Sequence, residues 1–320
     1  MQSPYSITPL IIDLVAAISE KIGEANANHL DRPPAGLRES NRIKTVQATL
    51  GIEGSVLSTD QIRAIIENKP VNGPAKCILE VKNTLEAYNR LDQFKATSLS
   101  SLLRAHKLMM AGLIDSPGKL RARHRQITGE ERPAYAALEG KMVKPFLLSL
   151  FEYLRNSRDL ILIKSCLFHY ELDSIQPFTV GNGRIGRLWQ TIILREHYAV
   201  FEFLPVETII WREKDRYFEM LNKNNFPGKS TGFIEFMLGA MLESLKELLS
   251  GRFLSLNATE RIERYRAEIG DQPFSRKGYL GKYKNISTAT ASRDLRDGVK
   301  RKILERTGDK RNASYRFVSA

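Results

Sequence analysis

Apolar residues recur along most of this chain at the spacing of amphipathic helices. Near the N-terminus, Leu10, Leu14, Ile18 and Ile22 step by four and mark one helix face. The same periodicity predicts further helices at residues 41–50, 76–92, 98–113, 141–155, 159–174, 211–223 and 231–250. The pattern predicts a mainly α protein, with weak strand signals before the C-terminus.

Local signals set several of the predicted boundaries. Gly51 is expected to end the helix over 41–50, and Ser58 with Gln61 has the spacing of a capping box that starts the next helix. Residues 160–175 are apolar nearly all round, which predicts a central buried helix. The polar stretch 116–140 shows no helical stripe and could hold a short hairpin.

Size and charge suggest a globular protein with a basic end. The chain has 320 residues, of which 42% are hydrophobic, so two or three domains are expected. The net charge is +13, and 17 lysines and arginines against 8 acids give residues 252–320 a charge of +9. A basic module is a candidate for binding nucleic acid, and the alternative is a solvated basic surface.

Cysteine usage and the N-terminus exclude several protein classes. Cys77 and Cys166 form no CxxC pair, so neither a zinc site nor a disulfide framework is predicted. The N-terminal apolar run contains Asp13, is too short to span a bilayer and has no basic start typical of a signal peptide. The sequence therefore predicts a cytoplasmic protein with no membrane segment.

Residues 175–187, IQPFTVGNGRIGR, carry the chemistry of an anion site. Gly181 and Gly183 allow close backbone approach to a ligand, and the helix that follows offers its positive N-terminal end. Arg184 and Arg187 stand one turn apart on that helix, so both can reach the same anion. The stretch therefore favours a polyphosphate ligand, and the alternative is a plain interhelical turn.

This stretch resembles the signature of the Fic family, HxFx(D/E)GNGRxxR, which lies on a helix-loop-helix. The matching positions are Phe178, Gly181, Asn182, Gly183, Arg184 and Arg187. The resemblance extends over roughly residues 1–250 and implies a Fic-type helical bundle with a small β-hairpin flap.

The resemblance also implies an activity. Fic enzymes typically transfer AMP from ATP to a Ser, Thr or Tyr hydroxyl of a target protein. The motif histidine is the general base, and the Asp/Glu holds Mg²⁺ on the phosphates. By resemblance, the glycine loop with Arg184 would bind the α- and β-phosphates, and Arg187 the γ-phosphate. ATP is therefore the expected ligand or substrate.

The sequence departs from this pattern at two positions. Gln176 stands where the family has its histidine, and a carboxamide cannot accept the hydroxyl proton at neutral pH. Loss of a general base lowers the rate by about 10²–10⁴. Val180 replaces the Asp/Glu and has no oxygen for a hard cation, which puts Mg²⁺ in doubt. His169 and His124 are the candidate replacement bases, although a core role is the simpler interpretation of His169.

A second motif precedes the core. Thr49, Glu53 and Gly54 resemble the family's inhibitory motif, (S/T)xxxE(G/N). In relatives that carry it, the glutamate pairs with the second arginine and excludes the γ-phosphate. The resemblance thus implies a pair between Glu53 and Arg187. Residues 121–140 correspond to the flap that would hold a target protein, but the usual flap residues are not clearly matched.

The expected domains are an N-terminal helical region over 1–95, a Fic core over 96–250, and a linker helix with a winged helix-turn-helix over 251–320. Ser275 is expected to cap a helix, and Ala291, Leu295 and Val299 form the apolar stripe of the next one. A hairpin is expected around residues 308–309.

Candidate DNA contacts of this C-terminal domain are Thr290 and Arg293 on its second helix and Lys310 and Arg311 at the hairpin tip. Asp294 and Asp297 on the same helix would be repelled by phosphates if they faced them. The alternative is a winged helix that docks a protein or forms a homodimer.

Three functions remain open on the sequence alone. The first is a Fic-fold protein that binds nucleotide with weak or lost catalysis. The second is an active nucleotidyl transferase with an unusual base. The third is a DNA-binding transcriptional regulator in which the Fic core senses a ligand.

Overall fold

The computed structural model describes residues 5–28, 30, 33–122, 139–223, 230–250, 258–283, 286–308 and 313–318. Within these residues, helices predominate and the strands form one small sheet, so the prediction of a mainly α protein is confirmed. The chain divides into two compact units, one over residues 1–33 and 40–249 and the other over 34–39 and 250–320. The finer division at residues 95 and 96 stays a prediction.

The first unit is built from helices. In chain order they are α1 (Pro9–Ala27), α2 (Ala35–Ile52), α3 (Thr59–Ile66), α4 (Ala75–Asn89), α5 (Leu99–Met109), α6 (Gly140–Asn156), α7 (Ile161–Ile175), α8 (Asn182–Arg195), α9 (Val206–Arg212), α10 (Lys214–Lys223) and α11 (Thr231–Leu249), with 3-10 turns at Leu91–Gln93 and Ala199–Glu202. The residues before 40 in α2 belong to the other unit.

Side-chain caps start several of these helices. Thr8 accepts a hydrogen bond from the Ile11 N–H at the start of α1. Ser58 and Gln61 form the predicted capping box at α3, each side chain bonding the other's backbone N–H.

The predicted break at Gly51 is wrong, because α2 runs from Ala35 to Ile52 and includes this glycine. A Cβ at Gly51 would lie 2.5 Å from Cε2 of Trp211. The glycine is therefore explained by a tryptophan packed against the helix rather than by a helix stop.

The central position of α7 follows from its composition. Twelve of its fifteen residues are buried, which confirms the prediction from its all-round apolar sequence. It packs against α8, and the surrounding core includes Phe151, Phe168 and Trp189. The loop between these two buried helices is consequently held on both sides by the core.

The second unit combines helices with a three-stranded antiparallel sheet. Its elements are α12 (Ala258–Ile269), β1 (Phe274–Ser275), α13 (Arg276–Lys282), α14 (Thr288–Lys300), β2 (Leu304–Thr307) and β3 (Ser314–Phe317), with strand order β1-β3-β2. Leu304 pairs with Phe317 and Thr307 with Ser314. Ser275 caps α13 as predicted. This order of elements is typical of a winged helix, and that identification stays a prediction.

The core of the second unit is rich in aromatic side chains. It comprises Ile262, Tyr265, Phe274, Tyr279, Tyr283, Ala291, Leu295, Leu304 and Phe317. Val299 packs against this cluster, so the predicted apolar stripe of α14 is confirmed.

Some predicted features lie outside the described residues. These are the hairpin flap and His124, which fall within residues 123–138, and Lys310 and Arg311 within residues 309–312. Of the helices in the described part of the chain, none combines the length and the apolar content needed to cross a membrane.

Candidate functional site

The loop between α7 and α8 begins at a strained residue and ends at a glycine. Gln176 ends α7 in the left-handed conformation, with φ 47° and ψ 62°. Gly181, with φ 85°, stands immediately before α8, whose first turn has no side-chain cap. A left-handed backbone conformation at a non-glycine residue costs free energy and persists only where the surrounding structure enforces it. Such residues concentrate at functional sites.

Both ends of the Gln176 carboxamide are used inside the loop. Its Nε2 donates to the backbone oxygen of Asp173 at 2.7 Å, and its Oε1 accepts from Nδ2 of Asn182 at 3.0 Å. The residue is 5% exposed. An amide held in this way braces the loop and offers no basic atom to a substrate hydroxyl.

The side chain of Asn182 is likewise engaged within the loop. Its Oδ1 accepts from the N–H of Phe178 at 2.9 Å, and its Nδ2 also donates to the oxygen of Phe178 at 2.8 Å. Phe178 is fully buried, so its side chain supports the loop from the core and is not accessible to a ligand.

His106, at the end of α5, fixes the loop from a third side. Its ring stacks on Phe178 with centroids 3.6 Å apart. Nδ1 accepts from the N–H of Gly118 at 2.9 Å, which leaves the proton on Nε2, and Nε2 donates to the oxygen of Val180 at 2.9 Å. Burial, aided by the charge of Arg184 and opposed by the Val180 hydrogen bond, lowers the His106 pKa to about 4. His106 was not among the residues predicted from the sequence, where its only signal is a histidine in the last turn of an amphipathic helix.

The two motif glycines lie close to other side chains, and Gly181 also has the positive φ that favours glycine. A Cβ on Gly181 would lie 2.7 Å from Cε of Met110. A Cβ on Gly183 would lie 2.5 Å from Oε1 of Glu53. The carboxylate of Glu53 is therefore seated against the first turn of α8, where an anion is favoured.

Arg187 holds that carboxylate. Its Nη2 donates to Oε1 of Glu53 at 2.9 Å and to the oxygen of Thr49 at 3.0 Å, and its Nε donates to Oγ1 of Thr49 at 2.8 Å. Burial works to lower the Arg187 pKa, but the Glu53 carboxylate more than offsets this, and the pKa is raised. The structure thus brings together the pair that the sequence analysis expected, and its inhibitory role stays a prediction. Gly54 follows α2 with φ 91°.

Arg184 lies one turn before Arg187 and is 6% exposed. Its Nε and Nη1, together with Nη1 of Arg187, have no hydrogen-bond partner among the described residues. Its Nη1 is 3.5 Å from Oε1 of Glu80 on α4, a carboxylate that the sequence analysis did not single out.

Val180 occupies the position of the family's metal-binding carboxylate. It is 44% exposed, and its side chain has no oxygen. Across the described residues, no group of three or more His, Cys, Asp or Glu side chains is arranged to hold a metal ion.

His169, considered above as a replacement base, is fully buried. Its Nδ1 lies 2.8 Å from Oε1 of Gln190, and its Nε2 lies 3.0 Å from the hydroxyl of Tyr217. Burial lowers its pKa to about 3. A neutral core histidine with both ring nitrogens satisfied cannot take a proton from a substrate outside the core.

The candidate DNA contacts of the second unit lie on α14. Thr290 is partly exposed and Arg293 is exposed. Asp294 is 2% exposed, and its carboxylate accepts from Nε and Nη2 of Arg261 at 2.6 and 2.9 Å. Asp294 therefore would not repel phosphates, because this carboxylate faces the unit's own core, whereas Asp297 on the same helix is partly exposed.

Comparisons with known proteins place this arrangement among relatives. A model of the Fic/DOC family matches residues 96–194. The crystal structure of a Fic family protein from Desulfovibrio desulfuricans G20 is 33% identical, covers 100% of this chain and 99% of its own, and superposes with a TM-score of 0.76.

Two further relatives are more distant. Protein adenylyltransferase Fic of Nematostella vectensis is 26% identical over 251 residues, which cover 72% of this chain and 55% of the relative. The structure of Fic-1 from C. elegans shares the fold, with 19% identity and a TM-score of 0.62 over 77% of this chain and 73% of its own. This chain thus spans about half the length of the curated relatives it matches.

Proposed function

The chain belongs to the Fic family, and on that premise we propose that it binds a nucleotide, with ATP as the expected ligand, but transfers AMP weakly or not at all. The observation that carries this proposal is a pair of buried guanidinium groups with unused N–H donors beside an uncapped helix start. Buried donors without acceptors are rare in folded proteins. Linked phosphates would supply acceptors to Arg184 and Arg187 at once.

Glu53 supports the same interpretation, because its carboxylate is an anion already bound in the proposed site. This site, formed by Arg184, Arg187 and the first turn of α8, is called the cradle below. Its carboxylate lies against Gly183 and is bonded by Arg187. A phosphate that reaches Arg187 has to displace it. The pair would therefore lower nucleotide affinity, and removing the carboxylate should raise that affinity.

Weak or lost catalysis follows from what surrounds the loop. Gln176 has no basic atom, and its amide is committed to Asp173 and Asn182. His169 is buried and neutral. Neither Gln176 nor His169 therefore supplies a general base to activate a target hydroxyl.

The residues present do not fit the divalent ion that the family uses. Val180 contributes no oxygen ligand, and its backbone carbonyl is engaged by His106. We therefore assign no step to a metal ion, and nucleotide affinity should depend little on Mg²⁺.

The proposal is tested by equilibrium binding of labelled ATP to the full chain. We expect Arg184→Ala to lower the affinity at least tenfold. Arg195→Ala is the matched control, because it removes an arginine eleven residues further along the same helix, about 16 Å away.

In parallel, AMP label on the chain or on proteins of a lysate would favour the alternative of an active transferase with an unusual base. Equal losses in both variants would argue against a specific cradle.

DNA binding by the second unit is a second candidate function, favoured by the burial of Asp294. The exposed residues of α14 include Arg293, Arg296 and Lys300, so its outer face is mainly cationic. DNA binding would be supported by an affinity for duplex DNA that decreases steeply as the salt concentration rises. The affinity should also be lower in Arg293→Ala than in the parent chain at the same salt concentration. Absence of binding at low salt would leave a protein-docking or dimerising role.

A further inference from the structure

Arg184 is a buried cation whose charge must be balanced before any ligand arrives. Its guanidinium is almost inaccessible, and two of its nitrogens have no hydrogen-bond partner among the described residues. An uncompensated buried charge is strongly destabilising. The carboxylate placed beside it is that of Glu80.

The contact with Glu80 balances the charge of Arg184 but leaves the N–H donors of Arg184 without a well-formed hydrogen bond. Oε1 of Glu80 is 3.5 Å from Nη1 of Arg184, within ion-pair distance but too far for a well-formed hydrogen bond. The two side chains are 16% and 7% exposed, so solvent screens them little. Arg184 is thereby neutralised in the unliganded chain and still has free N–H groups for an anion.

The helix that carries Glu80 is anchored next to the loop. One turn further along α4, Nδ2 of Asn83 donates to the oxygen of Ala111 at 2.7 Å. Val81 and Thr84 on the same helix are fully buried. The helix that carries Glu80 is therefore held in place by its packing, and an anion that binds Arg184 would lie close to the Glu80 carboxylate.

We propose that Glu80 is a second inhibitory carboxylate, which opposes anions at Arg184 while Glu53 occupies Arg187. This inference rests on the proposed nucleotide site. Phosphate groups that bond to Arg184 come within a few ångströms of Glu80, where like charges repel strongly in partly buried surroundings. Both arginines of the cradle are thus balanced by glutamates from helices that precede the family core.

The two glutamates act on different guanidinium groups, and this gives the proposal a distinctive consequence. If the effects are independent, the gains in affinity on removing each carboxylate should multiply. Removing Glu53 alone would leave nucleotide binding partly opposed.

The test is calorimetric titration of the full chain with ATP, without Mg²⁺. Glu80→Gln keeps the shape of the side chain and removes its charge, and we expect about tenfold tighter binding. In the Glu53→Gly, Glu80→Gln double variant we expect the product of the two single effects. Glu86→Gln is the matched control, because Glu86 lies on the same helix, is half-exposed and pairs with Arg90. Its affinity should match that of the parent.

Unchanged or weaker ATP binding in Glu80→Gln, with or without Mg²⁺, would overturn the inference. If this variant fails to fold, Glu80→Ala, which retains high helix propensity, replaces it and gives the same readout. Tighter binding in Glu53→Gly with no effect of Glu80→Gln would reject the second carboxylate alone. No ATP binding at millimolar concentration in any variant would reject the proposed nucleotide site, and this inference with it.

Discussion

His106 shows how a single side chain can hold the loop in place. It accepts from Gly118, donates to Val180 and stacks on Phe178, so three parts of the chain meet at one ring. These roles require the neutral ring, because Nδ1 must be an acceptor. Protonation would break the contact with Gly118 and place a second cation near Arg184.

We predict that this histidine makes folding stability depend on pH. Its pKa is about 4 in the folded chain, below the ordinary value of roughly 6.5. The unfolded chain therefore binds the proton first as the pH falls, and stability present above pH 6.5 is lost towards pH 4. The shift corresponds to about 3 kcal/mol at most.

The control variant is His106→Gln. Its carboxamide can accept from Gly118 and donate to Val180 as the histidine does, but it does not titrate. The free energy of unfolding, measured by urea denaturation at several pH values, should fall more for the parent than for this variant. Parallel curves would contradict the role of the ring.

The proposed function attributes the loss of catalysis to Gln176 and Val180, so restoring the family's residues at both positions should bring AMP transfer back. In a Glu53→Gly background, we predict that Gln176→His with Val180→Asp transfers labelled AMP at least about 10²-fold faster than the background. Gln176→His alone is the control and should recover less, since the metal ligand is still missing. Equal rates in all variants would contradict this explanation.

At the scale of elements, the packing of α7 against α8 depends on Gly186. A Cβ there would lie 2.9 Å from Cδ2 of His169, whose ring is fixed by Gln190 and Tyr217. The helix therefore needs a glycine at a position where helix propensity would favour alanine.

We predict that Gly186→Ala lowers the free energy of unfolding by about 1–3 kcal/mol, because the added methyl group overpacks the core. Gly239→Ala in α11 is the control, since a Cβ at Gly239 meets nothing within 4 Å. That change should be neutral or stabilising by up to about 1 kcal/mol. Thermal or urea unfolding compares the two, and similar losses in both would contradict the close packing.

Local pattern predicted most of the elements but not their partners, and the single helix predicted over 211–223 is wrong, because α9 and α10 are separate helices there. The burial of α7 followed from its all-round apolar sequence, and the cap at Ser58 from its spacing to Gln61. Gly51 was misinterpreted because the tryptophan that packs against it is distant in sequence. Glu80 was missed for the same reason, since nothing near it in the chain indicates Arg184.

At the scale of the whole molecule, each of the two compact units has hydrophobic core residues of its own in the described part of the chain. Asp294, buried and bonded to Arg261 and Tyr279, is the central polar contact of the second. Both tryptophans, Trp189 and Trp211, belong to the first unit. Tryptophan fluorescence therefore reports on the first unit alone.

We predict that Asp294→Ala destabilises the second unit by about 3 kcal/mol, because Arg261 loses its buried partner. Hydrogen exchange should accelerate in α12 and α14, while nucleotide affinity and the fluorescence-detected melt of the first unit stay unchanged. Asp271→Ala, at an exposed position of the same unit, is the control. Unaltered exchange in the second unit would contradict the structural role of this ion pair.

The most direct test of a nucleotide site without turnover is calorimetric titration of Glu53→Gly with ATP in the absence of Mg²⁺. We expect saturable binding, tighter than that of the parent chain, and its loss when Arg184→Ala is added. No heat of binding at millimolar ATP in the Glu53→Gly variant would contradict the claim that this loop and its two arginines hold a polyphosphate.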